Sequence, residues 1–129
     1  MDSVNLTLAS IRQYPRSMPR SMLPLKPLVF QVLIALSEGE RHGWSLVREV
    51  QLGTGGDRIM PANFYRTLRT MLADGLIEES SKRKAADDDE RRRYFRLTPI
   101  GHDAARAEAR RLQELVSDAR TKKLLKKGS

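Results

Sequence analysis

Apolar positions recur at helical spacing from Leu23 onward. Leu25, Leu28, Val29, Val32, Leu33 and Leu36 fall on one face. Pro24 and Pro27 suit the lead-in and first turn of a helix, where a fixed φ and a missing N–H cost nothing. Ser37-Glu38-Gly39-Glu40 ends the helix, with Gly39 as its C-terminal cap. A second, short helix is predicted from about Trp44, with Trp44, Val47 and Val50 or Gln51 sharing a face, and Gly53, Gly55 and Gly56 break the chain after it. A third begins at Pro61. Its apolar stripe is Phe64, Leu68, Met71 and Leu72, its stop is Asp74-Gly75, and its other face carries Asn63, Arg66, Thr67 and Thr70, flanked by Tyr65 and Arg69. The period then changes. Leu76 to Ser81 and Arg93 to Thr98 read as the two strands of a hairpin, with Phe95 and Leu97 on one face. Thr98 as N-cap and Pro99 in the first turn open a last, long helix. Ala105, Ala109, Leu112, Val116 and Ala119 trace a narrow stripe along it, with Leu115 beside them, the pattern of a helix–helix seam. Its basic end, Lys122 to Lys127, is predicted to fray.

Residues 1–22 stand apart, with four Ser, two Pro, three Arg and little periodicity. They are predicted to form a flexible basic tail, either inert or an arm that touches DNA. The expected layout is this tail, a winged-helix domain over 23–98, and a C-terminal helix with a frayed basic end over 99–129. The fold class is mainly α with a small β-hairpin.

Composition narrows the function. The 129 residues make one domain, with a net charge of +8 from 24 basic and 16 acidic residues. Such a surplus points first to nucleic acid and then to an anionic membrane surface. It is unevenly placed: residues 80–98 hold seven basic and four acidic side chains and 99–129 hold eight and four, whereas 23–79 hold six and seven. The chain has no cysteine and two histidines, which excludes disulfides, thiolate nucleophiles and Cys- or His-rich metal sites. No run approaches the roughly 18 apolar residues of a membrane span, and the N-terminus lacks the order of a signal peptide, so a cytoplasmic protein is expected. A membrane-surface helix is a weak reading, because residues 99–121 lack bulky aromatics on the apolar stripe.

No catalytic constellation emerges. Gly53-Thr54-Gly55-Gly56 lacks the following Lys-Ser or Lys-Thr of a phosphate loop and reads as an interhelical turn. His42 reads as a hydrogen-bonded turn residue and His102 as exposed. Asp87-Asp88-Asp89-Glu90 lacks the glycine and distal glutamate of a calcium loop and reads as a screen for the basic triplets on either side. Neither catalytic residues nor a metal or cofactor is expected, and the chain does not read as an enzyme.

Three helices followed directly by a hairpin is the order of a winged helix-turn-helix. A major groove admits one helix, and Arg, Asn and Thr read base edges there. The candidate DNA contacts are Pro61, Asn63, Tyr65, Arg66, Thr67, Arg69 and Thr70 on the third helix. Lys82, Arg83, Lys84, Arg91, Arg92 and Arg93 join them near the wing tip, where massed like charges make sense once phosphates neutralise them. The candidate dimer contacts are Leu25, Leu28, Ala105, Ala109, Leu112, Leu115, Val116 and Ala119. The competing reading is a winged-helix protein-interaction module without specific DNA binding, which the slightly acidic balance over 23–79 fits better than the rest of the chain does.

Residues 23–116 resemble the PadR family of bacterial transcriptional regulators. The resemblance rests on Leu25 through Leu36, Glu40-Arg41-His42-Gly43-Trp44, Phe64-Tyr65-Arg66-Thr67-Leu68, Asp74-Gly75-Leu76-Ile77, and Arg92-Arg93-Tyr94-Phe95-Arg96-Leu97-Thr98-Pro99-Ile100-Gly101. It implies a homodimeric repressor of a pseudo-palindromic operator in double-stranded DNA, with the C-terminal helix supplying much of the dimer contact. A single such helix resembles the short branch of the family. Three positions depart from the family pattern: Met60 in place of a helix-capping Ser, Trp44 in place of Tyr after His-Gly, and Ala62-Asn63 in place of Gly-Thr. Some relatives bind planar aromatic effectors between subunits, in places with a Trp of the last helix. Here the only Trp is at position 44, and a small-molecule effector is left open and unidentified.

Overall fold

The computed structural model describes residues 22–53, 58–80 and 93–126. The predicted tail, apart from Met22, lies outside the described residues, as do the wing-tip residues Lys82, Arg83, Lys84, Arg91 and Arg92 and the acidic run between the triplets. The described chain runs α1 (Pro27–Leu36), β1 (Arg41–His42), α2 (Gly43–Gly53), α3 (Pro61–Ala73), β2 (Ile77–Glu79), β3 (Tyr94–Leu97) and α4 (Pro99–Thr121). This is the winged helix-turn-helix architecture.

Helix α1 starts at Pro27, and its buried side is Val32, Leu33, Ala35 and Leu36. Leu25 precedes the helix and does not continue its stripe. It is nevertheless 8% exposed, buried against the chain's own core. Helix α2 departs from expectation. Gly43, Leu46 and Val50 are buried, and Trp44 is 50% exposed. A helix of three turns carries apolar residues on two sides, and the neighbours rather than the period decide which side is covered. Helix α3 buries Phe64, Leu68 and Met71 as the spacing requires. Burial of each contributes about 2 kcal/mol. The helix ends at Asp74, and Gly75 then takes a φ of 77°, which a side chain would oppose.

The wing is broader than a hairpin. Its sheet has three antiparallel strands in the order β1-β3-β2. Ile77 faces Leu97, Glu78 faces Arg96 and Glu79 faces Phe95 across one seam; Arg41 faces Phe95 and His42 faces Tyr94 across the other. Strand β1 is two residues long, too short for alternation to reveal it. Facing charges bond directly: Arg96 Nε donates to Glu78 Oε2 at 2.8 Å. Phe95 and Ile77 turn inward to join Leu33, Leu46, Phe64 and Leu68 in one core.

Helix α4 is welded to the wing root. The Thr98 hydroxyl accepts from Gly101 N–H at 3.0 Å and donates to the Gly75 carbonyl. Gly101 is packed so close to the Leu76 backbone that a Cβ there would overlap the Leu76 carbonyl oxygen. The helix then buries Ala104, Ala107 and Glu108 and nothing beyond them.

Candidate nucleic-acid interface

The exposed side of α3 is defined by what is buried opposite it. With Phe64, Leu68 and Met71 in the core, Pro61, Asn63, Arg66, Arg69 and Thr70 are exposed, and Tyr65 and Thr67 are half-buried at the edges. Tyr65 meets Phe64 edge-on, with ring centroids 5.6 Å apart. Thr67 Oγ1 donates to the Asn63 carbonyl at 2.9 Å and Thr70 Oγ1 to the Arg66 carbonyl at 3.2 Å. Both hydroxyl protons are therefore engaged on the helix itself, so each threonine presents lone pairs and a methyl group outward. Arg66 forms no ion pair among the described residues, and its five donors remain available to an acceptor. The helix N-cap, Met60, makes no side-chain hydrogen bond.

Helix α2 links this face to the wing. At its start, Gly43 N–H donates to the Arg93 carbonyl at 3.0 Å, and Ser45 N–H donates to His42 Nδ1 at 3.2 Å, so the imidazole caps the helix. At its end, Gln51 Oε1 accepts from Ile59 N–H at 2.8 Å, just before α3.

The described part of the wing is close to neutral. Arg96 pairs with Glu78 and Glu40, and Arg93 with Glu79 at 3.4 Å. Ser80 Oγ donates to Glu40 Oε1 at 2.8 Å, tying the strand end to the loop ahead of β1. Arg93 is thus held by the sheet. Arg91 and Arg92, with Lys82, Arg83 and Lys84, fall outside the described residues.

A second surface lies on the helices behind the sheet. Phe30 and Ile34 of α1, Leu97 of β3, and His102, Ala105 and Ala109 of α4 line an apolar groove of about 280 Å³. Beyond it, Leu112 is half-buried, Leu115 and Val116 are 52% and 39% exposed, and Ala119 is half-buried on an otherwise exposed helix. Leu28 is half-buried on α1. Leu25 differs from the other predicted dimer contacts, since its side chain is in the core and its N–H is accepted by Glu108.

Glu108 is a residue that pattern reading passes over. It is 2% exposed in the apolar flank of α4. Both its oxygens accept from Arg111, Oε1 from Nε and Oε2 from Nη2, each at 2.8 Å. The donated bonds of Arg111 hold the carboxyl below its usual range, against the opposing effect of burial and with help from the Leu25 N–H. Trp44 and Arg48 on the outer face of α2 were likewise outside the predicted site. An acid in an alanine-rich stripe reads as solvated, and a lone tryptophan reads as core; neither carries a sequence signal to the contrary. Among the described residues no helix is long and apolar enough to cross a membrane.

Residues 32–107 match the family described as transcriptional regulator PadR-like. Several solved structures share the fold. A transcriptional regulator from Clostridium thermocellum is 21% identical, with a TM-score of 0.58 over 74% of this chain and 87% of its own. A PadR family transcription regulator from Clostridium difficile is 16% identical, with a TM-score of 0.60 over 74% of this chain and 97% of its own. RosR from H. salinarum is 22% identical, with a TM-score of 0.55 over 78% and 97%. No curated protein matches the sequence.

Proposed function

The chain belongs to the PadR-like family of transcriptional regulators, and on that premise we propose that it is a sequence-specific DNA-binding repressor that acts as a cytoplasmic homodimer. The observation that carries this reading is the outward face of α3, where Asn63, Arg66 and Thr70 stand exposed directly opposite a fully buried apolar stripe. Asn63 suits bidentate reading of adenine and Arg66 of guanine, while threonines with engaged protons suit base amino donors and thymine methyl groups. Thr67, Arg69, Tyr65 and Pro61 border that face and serve phosphates or the groove wall. Lys82, Arg83, Lys84, Arg91 and Arg92 would add sequence-blind affinity; Arg93, paired with Glu79, would serve mainly to shape the wing.

Self-association is supported by α4. The helix has 23 residues, about 34 Å at 1.5 Å per residue, and its own domain covers only the first half. A second copy laid along Ala105, Ala109, Leu112, Leu115, Val116 and Ala119, with Leu28 at the margin, would cover the rest. Residues 23–98 would then read DNA and 99–129 would pair the subunits, setting two α3 helices into successive major grooves about 34 Å apart. Repression follows from occupancy, since a dimer seated on both grooves excludes other proteins from that stretch.

Selection of bound sequences from a random duplex pool tests the reading, with a two-fold-symmetric motif as the expected outcome. Arg66→Ala should cost about 1–3 kcal/mol on the selected site and less on random DNA. Equal losses on both would move Arg66 to a phosphate role, and a pool that yields no motif would overturn sequence-specific reading.

A further inference from the structure

The outer face of α2 belongs to none of the contacts described so far. Trp44, Arg48 and Leu52 follow one another at one-turn intervals and are all exposed, the tryptophan by half. The Arg48 guanidinium carbon stands 4.8 Å from the indole centroid. The His42 ring lies 5.9 Å from the same indole and meets Tyr94 edge-on at 5.4 Å. This run of rings leads into the base of the wing, where Gly43 N–H is bonded to the Arg93 carbonyl. The arginines of the adjoining sheet are neutralised: Arg41 by Glu49 and Glu38, Arg93 by Glu79, and Arg96 by Glu78 and Glu40. Arg48 has no carboxylate partner among the described residues.

We propose that Trp44 and Arg48 form a phosphate-binding pair where α2 crosses the DNA backbone, Arg48 through the edge of its guanidinium and Trp44 through its indole N–H. The proposal rests on the DNA-binding reading above and adds a backbone contact that neither α3 nor the wing supplies. In a helix-turn-helix the helix before the reading helix crosses the sugar–phosphate backbone, and α2 is fixed at one end to the wing base and at the other to the segment opening α3. A guanidinium placed over a ring, as Arg48 is at 4.8 Å, commonly stacks on it through one face, which leaves the N–H edge that binds phosphate bidentately. A side chain already laid on a ring also loses less freedom on binding than a free one. The indole has a single donor and no acceptor, which suits an anion.

Phosphate contacts are blind to sequence, so a labelled random-sequence duplex is a sufficient probe, with anisotropy of the full-length protein's complex read across a salt series. Arg48→Gln is expected to weaken binding about tenfold at low salt and to flatten the slope of log affinity against log salt by about one per bound chain. Arg48→Lys should keep the slope. Trp44→Phe keeps a ring beneath Arg48 but removes the N–H, and should weaken binding a few-fold with the slope unchanged. Arg110→Gln, on the exposed side of α4, should change neither affinity nor slope. Trp44 is the sole tryptophan, so wild-type emission should change as duplex is added. If the wild type binds with a steep salt dependence while Arg48→Gln keeps that slope, or if Trp44 emission is unmoved by bound duplex, the proposal is overturned and DNA binding stands; the stripe would then be a face for a protein partner. A wild type that binds no duplex overturns both.

Discussion

Helix α3 begins at Met60-Pro61 and helix α4 at Thr98-Pro99, each with an extended residue ahead of a proline: φ −71° and ψ 126° in the first, φ −88° and ψ 167° in the second. From there the two part. Thr98 caps the Gly101 N–H, donates to the Gly75 carbonyl, and sits over a glycine packed against the Leu76 backbone. Met60 caps nothing and is 59% exposed. The X-Pro signal sets where a helix starts; the side chain ahead of the proline sets how firmly the start is tied. Helix α4 is fixed at its beginning and uncovered at its end. Helix α3 is held along its back by Phe64, Leu68 and Met71 and has no side-chain cap at its front, the end that would enter a groove first.

The largest effect is expected at the uncovered end of α4. Asp at both Leu112 and Val116 would bury two carboxylates per chain against their symmetry mates, costing several kcal/mol of association. The expected product is a monomer by sedimentation velocity that keeps its helical circular dichroism and binds a full operator far more weakly. A double variant that still sediments as a dimer would remove this half of α4 from the interface and leave α1, with Leu28 and Ile34, to carry it.

At the fixed end the loss falls on folding instead. Gly101→Ala forces a methyl group into the Leu76 carbonyl and should destabilise the domain by about 3 kcal/mol in urea unfolding. Ser117→Ala, in the uncovered half, should change stability by less than about 0.5 kcal/mol. Similar values at the two positions would erase the contrast between the halves.

Glu108 marks the border between them. Glu108→Ala leaves the Leu25 N–H without its acceptor and should cost about 2 kcal/mol at neutral pH. The effect depends on pH with a definite sign. The folded-state value lies below the usual 4.5, so the carboxylate's contribution is complete above the unfolded value and fades as pH falls through the lower folded one. The stability gap between wild type and Glu108→Gln should therefore narrow as the pH falls below about 5. A constant gap over that range would mean that packing, not charge, makes the latch.

These tests fall on features of unequal visibility in the sequence. The stripes of α1 and α3, the Pro61 and Thr98-Pro99 starts and the two longer strands were legible, because each repeats a spacing or pairs a cap with a proline. Strand β1 was not, because Arg41 and His42 become a strand only by pairing with Phe95 and Tyr94. The spacing points to the wrong buried side of α2, because Trp44, its largest apolar side chain, lies on the side that no other described element buries. Leu25 continues the spacing of α1 on paper, but it precedes Pro27 and is fixed by the Glu108 carboxylate, a contact between residues far apart in the chain. At the candidate site the face of α3 was legible for the same periodic reason as its core. Arg48 was not, because a single cation on a helix carries no sign of what lies beneath it.

The smallest effect is the most direct trial of the contrast between the two helix starts. Met60→Ser supplies α3 with the kind of cap that α4 has in Thr98, and little apolar contact is lost because Met60 is already exposed. A serine hydroxyl accepting from the Ala62 or Asn63 N–H should stabilise the protein by about 0.5–1 kcal/mol. Thr98→Ala, the mirror change, should cost about 1 kcal/mol or slightly more, since it also removes the bond to the Gly75 carbonyl. The functional outcome separates two accounts of the missing cap. If the free N–H groups at the front of α3 bind backbone phosphate, the new hydroxyl competes with it, and affinity for random duplex should fall although the fold is firmer. The expected result is that opposition: a higher melting temperature with a binding loss of a few-fold. A stabilised variant that binds as tightly as wild type would show that the bare start of α3 is not used on DNA, and that the difference between the helices concerns folding alone.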